Sequence, residues 1–379
     1  MELKSITEKS DTFLQGPFDF CCTPTTFPNR LQGMKHPYAI SGHWEGTFEE
    51  AAIQHWAEHV RGALEAPNVT LGLVFINPRL FPHAEQILEI IRVHAQVPLL
   101  AGCSSTALVA NSEEIEQNAG IALGLFYLPE AKPEPFYFTQ ANIDASEGPE
   151  YWHEQTGLTP GKTNGWLAFA DPFNFDADTW LREWNQAFAP LAVLGGLATG
   201  EPGGNSTQVY LNGDVYNEGL VAISIGGEVE LASVISQGCT PIGETWTITR
   251  SEENFIYEIA NRPAYEVLIE TFGRLTPDEQ KKCQGNLFVG LVVNEYLEDF
   301  HRGDFLIRNL IGVDPNQGVI AVGAFPRTGQ TMQFQRRDAT AANEDMLELL
   351  NRAHEKLKDT TIYGGCLCCC NGRGSGLFG

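Results

Sequence analysis

A cysteine and two serines follow an apolar run in PLLAGCSSTALV, which spans residues 98–109. The thiol of Cys103 could act as a nucleophile if a base lay within hydrogen-bonding distance, which would make the protein a cysteine-dependent enzyme. The stretch itself contains no histidine. Glycine at position 102 lets the main chain turn tightly and approach a ligand closely. We therefore interpret Gly102, Cys103, Ser104 and Ser105 as a turn that holds a small ligand through its main chain, and keep catalysis by Cys103 as the alternative.

Two other motifs suggest chemistry at first sight. HWAEH places His55 and His59 one helical turn apart, as in some zinc peptidases, but both lie opposite the apolar stripe of their helix and no third ligand is evident. GLTPGKTNG, at residues 157–165, resembles a phosphate-binding loop. It has three residues where that loop needs four, and it precedes a strand instead of opening a helix. These patterns predict a solvated helix face and no nucleotide site.

The last residues combine cysteines with an arginine between glycines. Cys366, Cys368 and Cys370 alternate along a predicted strand, so their side chains would be about 6 to 7 Å apart, too wide for one tetrahedral zinc. We predict no metal site and no catalytic residue. Arg373 in NGRG offers a rigid set of donors to a carboxylate, and Arg308 is a second choice for the same role.

The sequence contains an internal repeat. LGLVFINP and GWLAFADP align without gaps, with Asp171 following Asn77 by 94 residues. The two copies, at about 70–130 and 164–230, each predict strand, helix, strand, turn and strand. With this offset Gly196 corresponds to Gly102 and Leu197 to Cys103, so the second turn has no thiol. The shared requirement is small residues, and Gly195 and Gly196 therefore join the candidate ligand-binding residues.

The elements that would position these turns form an α/β fold. Residues 1–45 show no periodicity and predict an irregular segment; a helix with Thr47 as its N-cap follows. Continuous apolar runs predict strands covered on both faces. We expect a domain at 46–250, with internally duplicated strand-helix-strand-strand units in mixed sheets. An α+β domain at 251–379 follows, and it ends abruptly enough to be incomplete.

The charge balance excludes several functions. With 24 basic and 48 acidic residues, the net charge of −24 repels nucleic acids and anionic membranes. No window approaches the roughly 20 apolar residues of a membrane span, and the N-terminus lacks a signal peptide. The nine cysteines are odd in number and partly adjacent, which favours reduced thiols. We expect a cytoplasmic protein that binds neither nucleic acid nor membrane.

Several of these segments resemble the FIST family, named for F-box and intracellular signal transduction proteins. LGLVFINP, PLLAGCSSTALV and NAGIALGLF are similar to its N-terminal part. The junction SQGCTPIGETWTITRSEENFIYEIANRPAYEVL, RRDA at 336–339 and CNGRGSGLFG at the end are similar to its C-terminal part. The family's C-terminal part normally continues beyond GLFG with a helix, a glycine-rich turn and a last strand.

The resemblance implies a sensory role with a small-molecule ligand, for which amino acids have been proposed. A branch of the family is similar to haem-based gas sensors, so a haem sensor is a further alternative. No kinase, receptor or F-box segment is recognisable, and we expect the signalling partner to be a separate chain. The sequence thus predicts a non-catalytic sensor without a cofactor.

Overall fold

The structure, a computed structural model, describes residues 38–110, 113–116, 118–201, 203–297, 299–300 and 303–378. The chain has an α/β fold with mixed sheets, as predicted, and continues into a β-barrel with helices. No described helix is long and apolar enough to cross a membrane. Most of the predicted irregular segment 1–45 lies outside the described residues, but its last part, Ala39–Glu45, forms a strand.

The first half of the described chain alternates strands and helices. Its strands are β1 (Ala39–Glu45), β2 (Leu71–Ile76), β3 (Leu100–Ser104), β4 (Leu108–Ala110), β5 (Glu113–Ile115), β6 (Gly120–Phe126), β7 (Ala131–Phe138), β8 (Trp166–Ala170), β9 (Val193–Leu197), β10 (Val209–Leu211), β11 (Asp214–Tyr216) and β12 (Leu220–Gly227). Its helices are α1 (Glu50–Ala63), α2 (Ala84–His94), α3 (Gln140–Asp144), α4 (Pro149–Thr156) and α5 (Ala177–Phe188), with a 3-10 helix at Pro78–His83.

The helix α1 begins later than its predicted cap at Thr47. Its N-cap is Glu49, which is extended and makes no side-chain capping bond. The ring of Phe48 stacks on His83 with centroids 4.3 Å apart and packs against the apolar core that contains Ile53 and Ile87, which holds this entry segment extended. Tertiary packing therefore overrides the local capping signal.

These strands form two sheets with the same pairing pattern. The first has the order β1-β6-β2-β3-β10-β11, and the second has the order β7-β12-β8-β9. In both, the last two strands of the shared set of four are parallel and the others antiparallel. The common origin of the two halves stays a prediction.

The register corrects the predicted correspondence between the two turns. Val74 pairs with Gly102 in the first sheet, and Ala168, 94 residues after Val74, pairs with Gly195 in the second. Gly195 is thus the structural counterpart of Gly102, and Gly196 is the counterpart of Cys103. The offset has shortened by one residue because the second copy has one residue fewer between its parallel strands.

The two sheets and their helices make four layers. Apolar side chains of α1 and α2 pack on the outer face of the first sheet. A second core lies between the sheets and includes Cys103, Val209 and Phe169. The third core, under α4 and α5, is aromatic and buries Trp152, Trp166, Trp180 and Trp184. Buried runs such as β2 and β3 are covered on both faces, which explains their continuous apolar sequence.

The second half of the chain forms the barrel. Its strands are β13 (Cys239–Glu252), β14 (Phe255–Ile259), β15 (Arg262–Pro263), β16 (Leu287–Val292), β17 (Phe305–Asp314), β18 (Val319–Val322) and β19 (Thr331–Arg337). Its helices are α6 (Ala264–Gly273), α7 (Pro277–Cys283), α8 (Ala339–Leu357) and α9 (Ser375–Phe378), with a 3-10 helix at Asn371–Arg373. The long strand β13 pairs with both β19 and β14, which closes the sheet.

The strand predicted for Cys366, Cys368 and Cys370 does not form. Residues 361–370 have no regular secondary structure, and the side chains of these cysteines are exposed. A strand requires a neighbouring backbone to satisfy its hydrogen bonds. This segment instead runs across the end of the first sheet, where Gly364 approaches Ala39 and Phe126.

Candidate functional site

The two segments predicted as turns are mostly strand: Gly102, Cys103 and Ser104 lie in β3, and Gly195 and Gly196 lie in β9, because parallel pairing with β2 and β8 continues through the glycines. The residues that directly follow these two strands meet between the sheets. The N–H of Thr106 donates to Thr199 Oγ1 at 2.8 Å, and the N–H of Thr199 donates to the carbonyl of Ser104 at 2.9 Å. The structure therefore brings the neighbourhoods of Gly102 and Gly195 together.

The donors of the first turn are used within the fold. The N–H of Ser104 donates to the carbonyl of Gln208 at 2.8 Å, and that of Ser105 donates to the carbonyl of Ile76 at 3.0 Å. The hydroxyl of Ser104 accepts from the N–H of Gln208, and that of Ser105 donates to the carbonyl of Ala107. The main-chain N–H groups of both serines and the hydroxyl of Ser105 are therefore engaged within the fold.

The Cys103 thiol is a core group. It is 5% exposed in the core between the sheets. Burial, and to a smaller extent the charge of Cys368, raises the pKa of Cys103 well above its usual range. Since the thiolate is the nucleophilic form, this environment opposes catalysis by Cys103.

Residues 361–378, here called the C-terminal segment, lie beside the core between the two sheets and contact both halves of the chain. Tyr363 packs against the core between the sheets. Further on, Arg373 Nη2 donates to the carbonyl and the hydroxyl of Ser236, each at 3.0 Å. The N–H of Ser375 donates to Glu116 Oε1 at 2.8 Å, and its hydroxyl donates to Glu116 Oε2.

The two candidate arginines have different partners. Arg373 binds Ser236, whose hydroxyl donates to Asp345 Oδ2 at 2.6 Å. Arg308 lies on β17 and donates to the carbonyl of Ile307 at 3.1 Å. Burial lowers the pKa of Arg308, and the charge of Asp178 in α5 opposes this shift. Arg373 thus connects the C-terminal segment to the residues that precede the barrel, whereas Arg308 bonds within its own strand β17.

A groove of about 330 Å³ opens where the C-terminal segment meets the first sheet. It is lined by Glu45, Glu114, Ile115, Glu116, Asn118 and Ser375. None of the residues predicted from the sequence is among them. The acidic run NSEEIEQN at 111–118 was the available signal, but the groove also needs the end of β1 and a serine from the far end of the chain.

The carboxylates of the groove differ in their electrostatic environment. Burial, followed by the charge of Glu116 and a hydrogen bond to it, raises the pKa of Glu114 above its ordinary value. The hydrogen bonds from Ser375 lower the pKa of Glu116. The C-terminal segment therefore favours the ionised form of Glu116. Partial burial and the neighbouring negative charge of Glu116 disfavour the ionised form of Glu114.

A second cavity, of about 10 Å³, lies at the start of the barrel. It is lined by Gln237, Cys239, Pro241, Gly303, Phe305, Ile307 and Gln335. A space of this size holds about one water molecule. The groove is thus the better place for a metabolite.

Comparison with known proteins gives a family for this arrangement. The FIST N domain matches residues 70–262, and the FIST C domain matches residues 264–379. The chain belongs to the FIST family. FIST domains are sensory domains of signal transduction. The boundary between the two matches falls at Pro263, immediately before α6.

This FIST chain is similar to uncharacterized mycobacterial proteins. An uncharacterized protein of Mycobacterium tuberculosis (strain CDC 1551 / Oshkosh) is 32% identical over 325 residues, which are 85% of this chain and 82% of that protein. An uncharacterized protein of Mycobacterium bovis is 31% identical over 332 residues, which are 87% of this chain and 83% of that protein.

The groove of this FIST chain does not fit haem. A haem iron needs an axial ligand such as histidine, cysteine, methionine or tyrosine. The six lining residues are three glutamates, an isoleucine, an asparagine and a serine. In the described part of the chain, no group of three or more histidine, cysteine or acidic side chains is arranged to hold a metal ion either.

Proposed function

We propose that this FIST chain is a non-catalytic sensor that binds a small amine-bearing metabolite, such as an amino acid, in the groove. The observation that carries the proposal is an open space of about 330 Å³ lined by Glu45, Glu114 and Glu116. A carboxylate accepts charge-assisted hydrogen bonds from an ammonium group, and these are stronger than neutral ones. The ligand class differs from the carboxylate-binding arrangement that Arg373 suggested in the sequence.

The electrostatics of the groove support a cationic ligand. The raised pKa of Glu114 reflects burial and repulsion from Glu116. An ammonium group between them would favour the ionised form of Glu114 and relieve that repulsion. Ligand binding should therefore lower the pKa of Glu114.

The position of the groove supports a signalling role. Glu114 and Glu116 lie in the FIST N part, and Ser375 lies in the FIST C part. Because Ser375 is hydrogen-bonded to Glu116, a ligand in contact with Glu116 acts directly on the contact between the two parts. We propose that a signalling partner on a separate chain responds to this contact.

The thiols support the absence of catalysis and a reducing compartment. The one cysteine in the predicted turn, Cys103, is buried with a raised pKa. All cysteines in the described part of the chain are free, and Cys366, Cys368, Cys369 and Cys370 are exposed. Exposed free thiols are typical of the cytosol, where they stay reduced.

A thermal-shift screen tests the proposed ligand. The wild-type chain would be melted with amino acids, diamines and polyamines, and hits would be confirmed by calorimetry. We expect the stabilisation to be lost in Glu114→Gln, which removes a charge without removing a bond to Ser375. Glu85→Gln, an exposed glutamate on α2, is the matched control. The proposal fails if no compound stabilises the chain, or if Glu114→Gln and Glu85→Gln respond alike.

A further inference from the structure

The two sheets differ at one edge. In the first sheet, β3 is covered by β10, which continues into β11. In the second sheet, β9 is the last strand of the described chain on that side. Gly195 and Gly196 are exposed, and the side chain of Leu197 is 54% exposed. The edge of β9 is therefore open, whereas the equivalent edge of β3 is covered by β10.

The hydrogen bonds show which main-chain groups face this opening. The N–H of Trp166 donates to the carbonyl of Ala192, and the N–H of Ala198 donates to the carbonyl of Ala170. In a parallel pair, residues alternate between bonding to the neighbouring strand and facing away from it. The main-chain groups of residues 193, 195 and 197 consequently face away from β8, towards the open side.

The equivalent groups of β3 show what such an edge accepts. The N–H of Ser104 donates to the carbonyl of Gln208, and the carbonyl of Leu100 accepts from the N–H of Asn212. Between them Tyr210 pairs with Gly102 and is fully buried in the first core. Glycine is required at position 102 because a Cβ atom there would lie 1.7 Å from the carbonyl oxygen of Val74 on β2. The residue that the covering strand pairs with this glycine is the aromatic Tyr210.

This chain's own equivalent hairpin does not reach β9. The hairpin of β4 and β5 follows β3 after only residues 105–107, whereas β10 follows β9 after residues 198–208. The hairpin instead buries Leu108, Ala110 and Ile115 against its own sheet. Among the described residues, no strand pairs with this edge of β9.

We propose that the β9 edge binds an extended segment of a partner protein as an added antiparallel strand, with an aromatic residue opposite Gly195. The pattern apolar–aromatic–apolar follows from Val209, Tyr210 and Leu211 on the equivalent edge. The aromatic ring would lie between the side chains of Val193 and Leu197, which flank Gly195 on the same face.

A second copy of this chain is a poorer occupant. Antiparallel pairing of two β9 strands about Gly195 would place glycine opposite glycine, so no side chain would fill the space. The net charge of −24 also repels another copy, while it attracts a partner segment flanked by basic residues. The proposal does not depend on the ligand-binding groove.

A peptide-binding experiment on the full chain tests the proposal. The probe is a fluorescent peptide with the sequence of residues 206–212, STQVYLN, extended by two lysines at each end; it contains the strand that covers the equivalent edge. We expect saturable binding and slower amide exchange over residues 193–198. A peptide carrying Tyr210→Gly should bind roughly tenfold more weakly or worse.

Two lysine variants locate the binding. Leu197→Lys places a charge on the edge and should weaken the peptide by at least roughly tenfold. Val93→Lys is the matched control, because Val93 is 56% exposed on α2 and remote in sequence from β9. Melting curves verify that both variants fold, and Glu114→Gln should leave peptide binding unchanged.

Three results would overturn the proposal. They are no saturable binding, equal binding by Leu197→Lys and wild type, or a wild-type dimer in sedimentation that Leu197→Lys dissociates. The last result would assign the edge to a second copy. If the wild-type chain responds to amines in the thermal-shift screen but does not bind the peptide, the β9 proposal is wrong and the proposed sensor function is unaffected.

Discussion

Replacing Gly195 with alanine should strongly destabilise the second sheet. A Cβ atom there would lie 1.8 Å from the carbonyl oxygen of Ala168, whereas real Cβ contacts are essentially never below 3.0 Å. The strands β8 and β9 would have to separate by more than about 1 Å, at an overpacking cost of about 1–3 kcal/mol. The φ angle of +148° is one that residues with a side chain rarely adopt, and it adds at least about 1 kcal/mol. We expect a loss of roughly 2–5 kcal/mol in the free energy of unfolding.

Gly196 provides the matched comparison. A Cβ atom at Gly196 meets nothing within 4 Å, so Gly196→Ala should change the free energy of unfolding by less than about 0.5 kcal/mol. Urea unfolding followed by far-ultraviolet circular dichroism measures both variants. Equal stabilities, or a larger loss for Gly196→Ala, would refute the register that makes Gly195 the counterpart of Gly102.

Two further predictions concern the C-terminal segment and the turn beneath it. At pH 7 a maleimide should label exposed Cys368 readily and Cys103 only after denaturation, as measured by mass spectrometry. Preferential labelling of Cys103 at pH 5 would instead support the alternative that the protein is a cysteine-dependent enzyme. Ser375→Ala removes one of the bonds that lower the pKa of Glu116, so that pKa should rise in a carbon-13 NMR titration. A carboxyl group whose pKa is lower in the folded state stabilises the fold above its unfolded pKa, and this stabilisation is lost as the pH falls through the folded pKa. Since the folded pKa of Glu116 is higher in Ser375→Ala, acid should release the C-terminal segment at a higher pH in this variant. An unchanged Glu116 titration would contradict this account.

Local patterns predicted the strands and helices well where burial dictates sequence. The runs at β2 and β3 are covered on both faces, and such runs are apolar throughout. The ungapped alignment located the second sheet but missed that the second segment has one residue fewer between its parallel strands. Ser105 follows Ile76 by 29 residues, whereas Ala198 follows Ala170 by 28. Adjacent glycines at 195 and 196 concealed the change, because either one satisfies the alignment.

The groove could not be predicted in the same way. Glu45 ends one strand, Glu114 belongs to a hairpin, and Ser375 lies near the end of the chain. Isolated glutamates normally indicate a solvated surface. The packing of the β4–β5 hairpin beside β1 brings the glutamates together, and the path of residues 361–375 adds Ser375. That path itself was missed, because alternating cysteines predicted a strand where no neighbouring backbone pairs with the segment.

The aromatic core under α4 and α5 gives one half of the molecule an optical signature. Four of the seven tryptophans lie there, and Trp184 has ring centroids 4.8 Å from Trp166 and 4.7 Å from Trp180. Indoles this close exchange excitation energy, so near-ultraviolet ellipticity and emission report mainly on this cluster. A perturbation at β9 would therefore be visible without any attached dye, whereas unfolding of the barrel, with Trp246 alone, would be nearly silent.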